Sequence, residues 1–319
     1  MKVSIIGAGN VGATIANVLA TKNFCSEVVI LDIKKGMSEG KAMDIMQTAQ
    51  LLSFDTTVTG VTAEPNDLKG YLPTANSDVI VITSGIPRKP GMSREDLIDT
   101  NAKIVTGVMY QALQYSPNAI FIIISNPMDA MTYLALKRTH LPRNRVIGQG
   151  GMLDSSRFCY FLAQELQAAG YPATPTDVDG IVIGGHNDKT MVPLASIATY
   201  RSIPVNQLLS KEQLDRAVAQ TKIGGATLTQ LIGTSAWYAP GAAAAAMVEA
   251  IALDAKKLIP SCVYLDGEYD EKDLCIGVPV ILGKNGVEKI IHYDLSGDEK
   301  TAFADSVANA RETNSKLKL

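Results

Sequence analysis

"VSIIGAGNVGATIANVLATKN", residues 3–23, decides the fold. A short apolar run, "VSII", runs into glycines at 7, 9 and 12, and Val11, Ile15, Val18 and Leu19 then recur at helical spacing. In a strand–turn–helix each glycine has a task. Gly7 makes the tight turn, Gly9 lets the backbone approach a pyrophosphate, and Gly12 lets the helix pack closely on the strand. The pyrophosphate would sit at the positive end of the helix. Asp32 lies 20 residues after Gly12, at the end of the strand-like "EVVILD" (27–32), where the dinucleotide fingerprint places its acidic residue. A carboxylate there accepts hydrogen bonds from a ribose diol and repels a 2′-phosphate. That favours NAD over NADP, a preference tempered by Lys34 and Lys35 just beyond. A glycine turn followed by an ordinary strand-end aspartate is the competing reading.

Working outward, strand-like and helical segments alternate. After "EVVILD" come helical "GMSEGKAMDIMQTAQLL" (36–52), strand-like "TTVTGVT" (56–62) and "SDVIVITSG" (77–85), helical "SREDLIDTNAKIVTGVMYQALQYS" (93–116) and strand-like "NAIFIIISNP" (118–127). This alternation implies βαβ units and a parallel sheet. Wholly apolar strands such as "AIFIII" imply burial on both faces. The expected fold is α/β: an N-terminal Rossmann-type doubly wound parallel sheet over residues 1–146, then a mixed α+β substrate domain over 147–319. The boundary is placed at "PRNRVIGQGG" (142–151). Beyond it the pattern predicts a helix from about 150, strands around 178–184 and 190–200, long helices, a strand-rich "CIGVPVILGKNGVEKIIHY" (275–293) and a final helix.

The chain has 319 residues, is 46% hydrophobic and 19% charged, and carries a net charge of −3, which leaves ample material for a core and argues against disorder, nucleic-acid binding and anionic membrane surfaces. Cys25, Cys159, Cys262 and Cys275 show no metal spacing and read as reduced thiols, so a cytoplasmic setting and no metal are expected. Lys2 already begins a strand, so no signal peptide is expected. No apolar run reaches the ~20 residues that span a bilayer. "GAAAAAMVEAIALDA" (241–255) reads as a helix whose small side chains admit a close neighbour.

Three further stretches carry chemistry. "GIPRKPGMSRED" (85–96) sets Arg88, Lys89 and Arg94 among glycines and prolines that forbid regular structure, directly after an apolar strand. In "GGHND" (184–188), two glycines leave His186 exposed at a strand end; alone, it would be a structural histidine. In "LDSSRF" (153–158), Asp154 and Arg157 are three apart and share a helix face; alone, they would be a surface ion pair worth about 0.2–0.5 kcal/mol.

Taken in order, "GAGNVG" with Asp32, "SGIPRKPGMSRED" (84–96), "ISNP" (124–127), "LDSSRF" and "GGHND" resemble the lactate/malate dehydrogenase family over essentially the whole chain. Arginine at both 88 and 94 is similar to the malate-acting form of the family's active-site loop, in its bacterial type. The resemblance implies reversible hydride transfer between (S)-malate and oxaloacetate with NAD as cofactor. His186 would be the proton donor and acceptor, Asp154 would hold its other ring nitrogen, and Arg157 would grip the carboxylate beside the reacting carbon. Arg94 would polarise the carbonyl, and Arg88 would take the second carboxylate, with Lys89 left in solvent. Asn126 would touch both substrate and nicotinamide, and Ser235 in "GTSAW" (233–237) would be a further polar contact to substrate. Gly7, Gly9, Asn10, Val11, Gly12, Asp32, Asn101 and Ile124 would hold the cofactor. A homodimer or homotetramer is implied, with "GAAAAAMVEA" or the helix at 37–52 as candidate subunit contacts.

The chain departs from the family pattern at Asn187, where a glycine is usual, and in "QAAGYPATPTD" (167–177), which is a few residues longer than common and is expected at the surface. Its first strand is expected to begin at Lys2, so the N-terminal arm of vertebrate lactate dehydrogenases is not expected. A lactate dehydrogenase or another 2-hydroxy acid dehydrogenase is the near alternative. A metal-dependent NAD-using glycosidase and a non-enzymatic NAD sensor are more distant ones.

Overall fold

The computed structural model describes residues 1–64, 67–86 and 94–319, with Arg94 described through its backbone. β1 (Lys2–Ile6) turns through Gly7, at φ +118°, into α1 (Asn10–Lys22), followed by β2 (Glu27–Asp32), α2 (Met37–Gln47), α3 (Ala49–Leu52) and β3 (Thr57–Thr62). Then come β4 (Val79–Ile82), α4 (Arg94–Tyr115), β5 (Ile120–Ile123), α5 (Met128–Thr139) and β6 (Val146–Gly148). The remaining elements are α6 (Gly151–Ala168), β7 (Val178–Asp179), β8 (Val182–Gly184), β9 (Met191–Pro193), β10 (Thr199–Tyr200), β11 (Ile203–Pro204), α7 (Lys211–Ile232), α8 (Tyr238–Ala252), β12 (Lys257–Asp266), β13 (Lys272–Gly283), β14 (Gly286–Ile290) and α9 (Gly297–Asn314).

The main sheet runs β3-β2-β1-β4-β5-β6-β12-β13-β8-β9, with β14 also on β13; β7, β10 and β11 form a small second sheet. The pairs from β3 to β6 are parallel and those beyond β6 antiparallel. Every residue of β4 and β5 is buried, as two covered faces require. One apolar core crosses the boundary, uniting Val3 and Ile5 of β1 with Ile259 of β12 and Val278 of β13.

Several expectations change in detail. The helix expected over 36–52 breaks at Thr48 into α2 and α3. The strands expected at 178–184 and 190–200 are each split in two. α5 and β12 are elements that the pattern did not predict. The small-residue helix α8 does take a close neighbour, but within the same chain: a Cβ built on Gly241 falls 2.5 Å from Thr14 Cγ2 of α1. On α2 and α3, by contrast, Met43, Leu51 and Leu52 are exposed. In 167–177 most residues face solvent, and Ala173 anchors the loop in the core. All four cysteines are free thiols. Among the described residues no helix is long and apolar enough to cross a membrane.

Candidate active site

The C-terminal ends of the parallel strands meet α6 and β8 at a cleft of about 430 Å³. Val11, Asn101, Ile124 and Asn126 line it from one side, and Arg157, His186 and Ser235 from the other.

The glycine turn forms the floor of the cofactor side. A Cβ on Gly12 would collide with the Gly7 carbonyl, whereas the space beside Gly9 is open, with nothing among the described residues within 4 Å. Gly9 caps α1 without a side-chain hydrogen bond, so the helix end faces that space with its own N–H groups. Asp32 lies alongside, accepting from Ala8 N at 2.6 Å and Lys34 N at 2.9 Å. Thr83, which the sequence reading did not single out, donates to the Gly7 carbonyl at 3.0 Å and holds the turn against the end of β4. An open space at a helix N-terminus with a carboxylate at the next strand end fits a dinucleotide.

Asn101 lines the cleft, but its amide is engaged within the chain. It accepts from Ile86 N at 2.9 Å and donates to the carbonyls of Ile86 (3.2 Å) and Asn126 (2.6 Å). Asn126 is exposed to the cleft, and its peptide bond to Pro127 is cis.

On the other side, His186 Nδ1 lies 2.7 Å from Asp154 Oδ2. Asp154 is buried on α6, and the histidine side chain is 18% exposed. Gly184, at φ +84°, makes the turn that delivers the ring; that backbone favours glycine, and a Cβ there would also lie 2.5 Å from the Thr190 carbonyl. Burial alone would lower the His186 pKa. The charge of Asp154 and its hydrogen bond, followed by the charge of Asp129, outweigh it and hold the ring above the ordinary histidine value, against Arg157. Arg157 Nη1 is 3.5 Å from Asp154 Oδ1, an ion-pair distance that leaves its donors available. The guanidinium lies along α7 where Gly224 makes room: a Cβ there would fall 2.5 Å from Arg157 Cδ. Asn187 donates to Thr190 Oγ1 and accepts from Lys189 N at 3.1 Å, without a positive φ. Gln149, buried at the end of β6, also lines the cleft, with its amide nitrogen lacking a partner.

Arg88, Lys89 and the side chain of Arg94 lie outside the described residues. The sequence reading did not single out Thr83, Gln149 or the glycines of α7 at the cleft, nor, behind it, Asp129, whose carboxylate accepts the His186 backbone N–H at 2.8 Å. "NPMD" and "IGG" were visible as letters, but nothing in them named a partner.

A dinucleotide cradle opening onto a histidine held by a buried carboxylate is the arrangement of an NAD-dependent oxidoreductase. Residues 1–148 match the NAD-binding domain of lactate/malate dehydrogenases, and residues 151–318 match the alpha/beta C-terminal domain of the same family. The chain belongs to the lactate/malate dehydrogenase family, and NAD is its cofactor. A malate dehydrogenase of Bacteroides fragilis is 62% identical over 317 residues, covering 99% of this chain and 98% of that protein. One from Flavobacterium johnsoniae is 56% identical over 318 residues, covering 100% and 99%. The crystal structure of Salinibacter ruber malate dehydrogenase superposes with a TM-score of 0.91 at 44% identity, over 99% of this chain and 97% of that one. A Cryptosporidium parvum lactate dehydrogenase, solved with lactic acid and NAD, superposes at 0.90 with 35% identity, over 98% and 96%.

Proposed function

We propose that this chain interconverts (S)-malate and oxaloacetate. The observation that carries the reading is the His186–Asp154 pair with Arg157 beside it on one wall of a cleft that continues into the dinucleotide cradle. The glycine turn would hold NAD, which would supply or take the hydride. His186 gives a proton from Nε2 to the substrate's carbonyl oxygen in reduction and recovers it from the hydroxyl in oxidation. Asp154 holds Nδ1–H, which fixes the tautomer and supports the charged ring. Arg157 binds the carboxylate next to the reacting carbon, and the 3.5 Å separation from Asp154 supports this because its donors are not spent there. Asn126 and Ser235, both in the cleft, bind substrate. Arg94 polarises the carbonyl, and Arg88 takes the second carboxylate that distinguishes oxaloacetate from pyruvate.

Gly7, Gly9, Asn10, Val11, Gly12, Asp32, Asn101 and Ile124 hold the cofactor, Asn101 by fixing the backbone of Asn126. Residues 1–146 thus hold NAD and lend Arg88, Arg94 and Asn126 to the substrate, and residues 147–319 form the substrate and catalytic domain. The enzyme works in the cytoplasm as a homodimer or homotetramer; the apolar side chains exposed on α2 and α3 support association. The test is NADH oxidation with oxaloacetate, pyruvate and 2-oxoglutarate offered in turn. Oxaloacetate should be strongly preferred, and a preference for pyruvate would make the chain a lactate dehydrogenase.

A further inference from the structure

His186 is held at two points by two carboxylates from different helices. Asp154 of α6 takes the ring, and Asp129 in the first turn of α5 takes the main chain, its Oδ2 accepting His186 N at 2.8 Å. Asp129 is three residues beyond Asn126, so the same short segment that places a cleft side chain on the cofactor side also grips the histidine. The residue as a whole is only half-buried, but its second oxygen, Oδ1, is sealed from solvent and makes no well-directed hydrogen bond. Asp129 lines a cavity of about 50 Å³ behind the histidine, together with Asn187 and Asn314; among the described residues around it no lysine, arginine or glutamate appears. The ionisable groups that bear on Asp129 are the His186 ring, the Cys262 thiol of β12 and Asp154. Those that bear on His186 are Asp154 and Arg157 of α6 and Asp129 of α5.

We infer that Asp129 is a positioning residue for proton transfer at His186: its carboxylate fixes the histidine's main chain as Asp154 fixes its ring, and it stands as a second negative charge behind the imidazole. The inference rests on His186 being the acid/base. Negative charge at Asp154 and at Asp129 favours the protonated ring, against burial and the charge of Arg157. Burial pushes the Asp129 carboxyl up from its ordinary value, while the His186 N–H and then the His186 ring act in the opposite direction. Among the described residues, the histidine is thus the cation set against this carboxylate.

Two substitutions separate the two parts of the role. Asp129→Asn keeps an acceptor for the His186 N–H and removes the charge, and Asp129→Ala removes both. The chain has three histidines, so the His186 imidazole can be assigned by NMR as the signal lost in His186→Asn. In Asp129→Asn, the His186 titration midpoint should move to lower pH while those of His140 and His292 stay in place. In Asp129→Ala, kcat with oxaloacetate should fall by about 10²-fold, the size of effect a small misplacement of a catalytic group produces, with KM little changed, and Asp129→Asn should recover most of that loss. An unmoved His186 midpoint in Asp129→Asn, or a wild-type kcat in Asp129→Ala, overturns the inference. If His186→Asn were itself fully active, the acid/base assignment would be the part that failed, and the titration of Asp129→Asn would still report on the coupling.

Discussion

The strands that feed the cleft from residues 1–146 are short, parallel and buried on both faces, and they present groups at their ends: the Gly7 turn after β1, Asp32 at the end of β2, Thr83 after β4 and Asn126 after β5. Residues 147–319 work differently. Their long strands, β12 and β13, build the wall of the sheet, and the groups proposed to react come from a helix, α6, and from the Gly184–Gly185 turn at the end of three-residue β8. In the first half fold and site are encoded by the same residues, because a dinucleotide is bound mostly by backbone at strand ends. In the second half scaffold and chemistry are separate. A proton donor must be a side chain of suitable pKa, and that side chain must be held by others.

Damage to the histidine of the second half should therefore strike turnover, and damage in the first half should strike substrate choice at Arg88 and cofactor use at Asp32. His186→Asn gives the largest expected effect, a loss of roughly 10²–10⁴-fold in kcat with NADH binding retained, read by fluorescence titration and steady-state rates. Near-normal turnover would break the comparison outright. Arg88→Gln comes next: removing the partner of a buried carboxylate costs about 3–5 kcal/mol, or roughly 10²–10³-fold in kcat/KM for oxaloacetate, with pyruvate unaffected or improved. Equal losses for both substrates would make Arg88 a general loop residue. A smaller change is expected from Asp32→Ser, which should narrow the preference for NADH over NADPH while leaving kcat with NADH close to normal. If wild type used both cofactors equally well, Asp32 would not be the discriminating residue.

The smallest effect is a displaced pH limb. His186 is held above the ordinary histidine pKa by Asp154 and Asp129 against burial. Malate oxidation needs the neutral ring, so its acid limb should lie above the free histidine value and should move down in Asp154→Asn. The same raised pKa makes this histidine's contribution to folding stability full below its unfolded pKa, and that contribution is lost as pH rises through the folded one. A limb at or below the free histidine value would contradict the charge arrangement around the ring.

The sequence made the first half readable because burial on both faces leaves unbroken apolar runs and because the glycines of "GAGNVG" have few other uses. It was less informative where burial erases periodicity. α5, "MDAMTYLALKRT", buries Met128 and every residue from Ala130 to Leu136, and a helix buried all round shows no stripe. β12 contains Pro260, which reads as an interruption in a strand, yet it pairs with Pro279 of β13, so both missing N–H groups fall at one rung. His186, Asp154 and Arg157 were legible as side chains with known chemistry. Asp129 was not, because its partner is a main-chain N–H and no residue type announces a backbone donor. The room that Gly224 makes for Arg157 belongs to the same class: the meaningful feature is a missing side chain facing an element 67 residues earlier (224 − 157).

The two halves of the sheet are joined where β6 meets β12, through the pairing of Gly148 with Cys262. A Cβ at Gly148 would strike the sulfur of Met128, come within 2.5 Å of Thr132 Oγ1 and lie 2.8 Å from Cys262 Cβ. Met128 and Thr132 belong to α5, the helix that carries Asp129, and Cys262 bears on Asp129 in turn. Gly148 therefore works as a gauge: α5 and β12 close on it with a clearance of less than one methyl group, so the fit between the two halves of the sheet is held to a mechanical tolerance by a residue with no side chain.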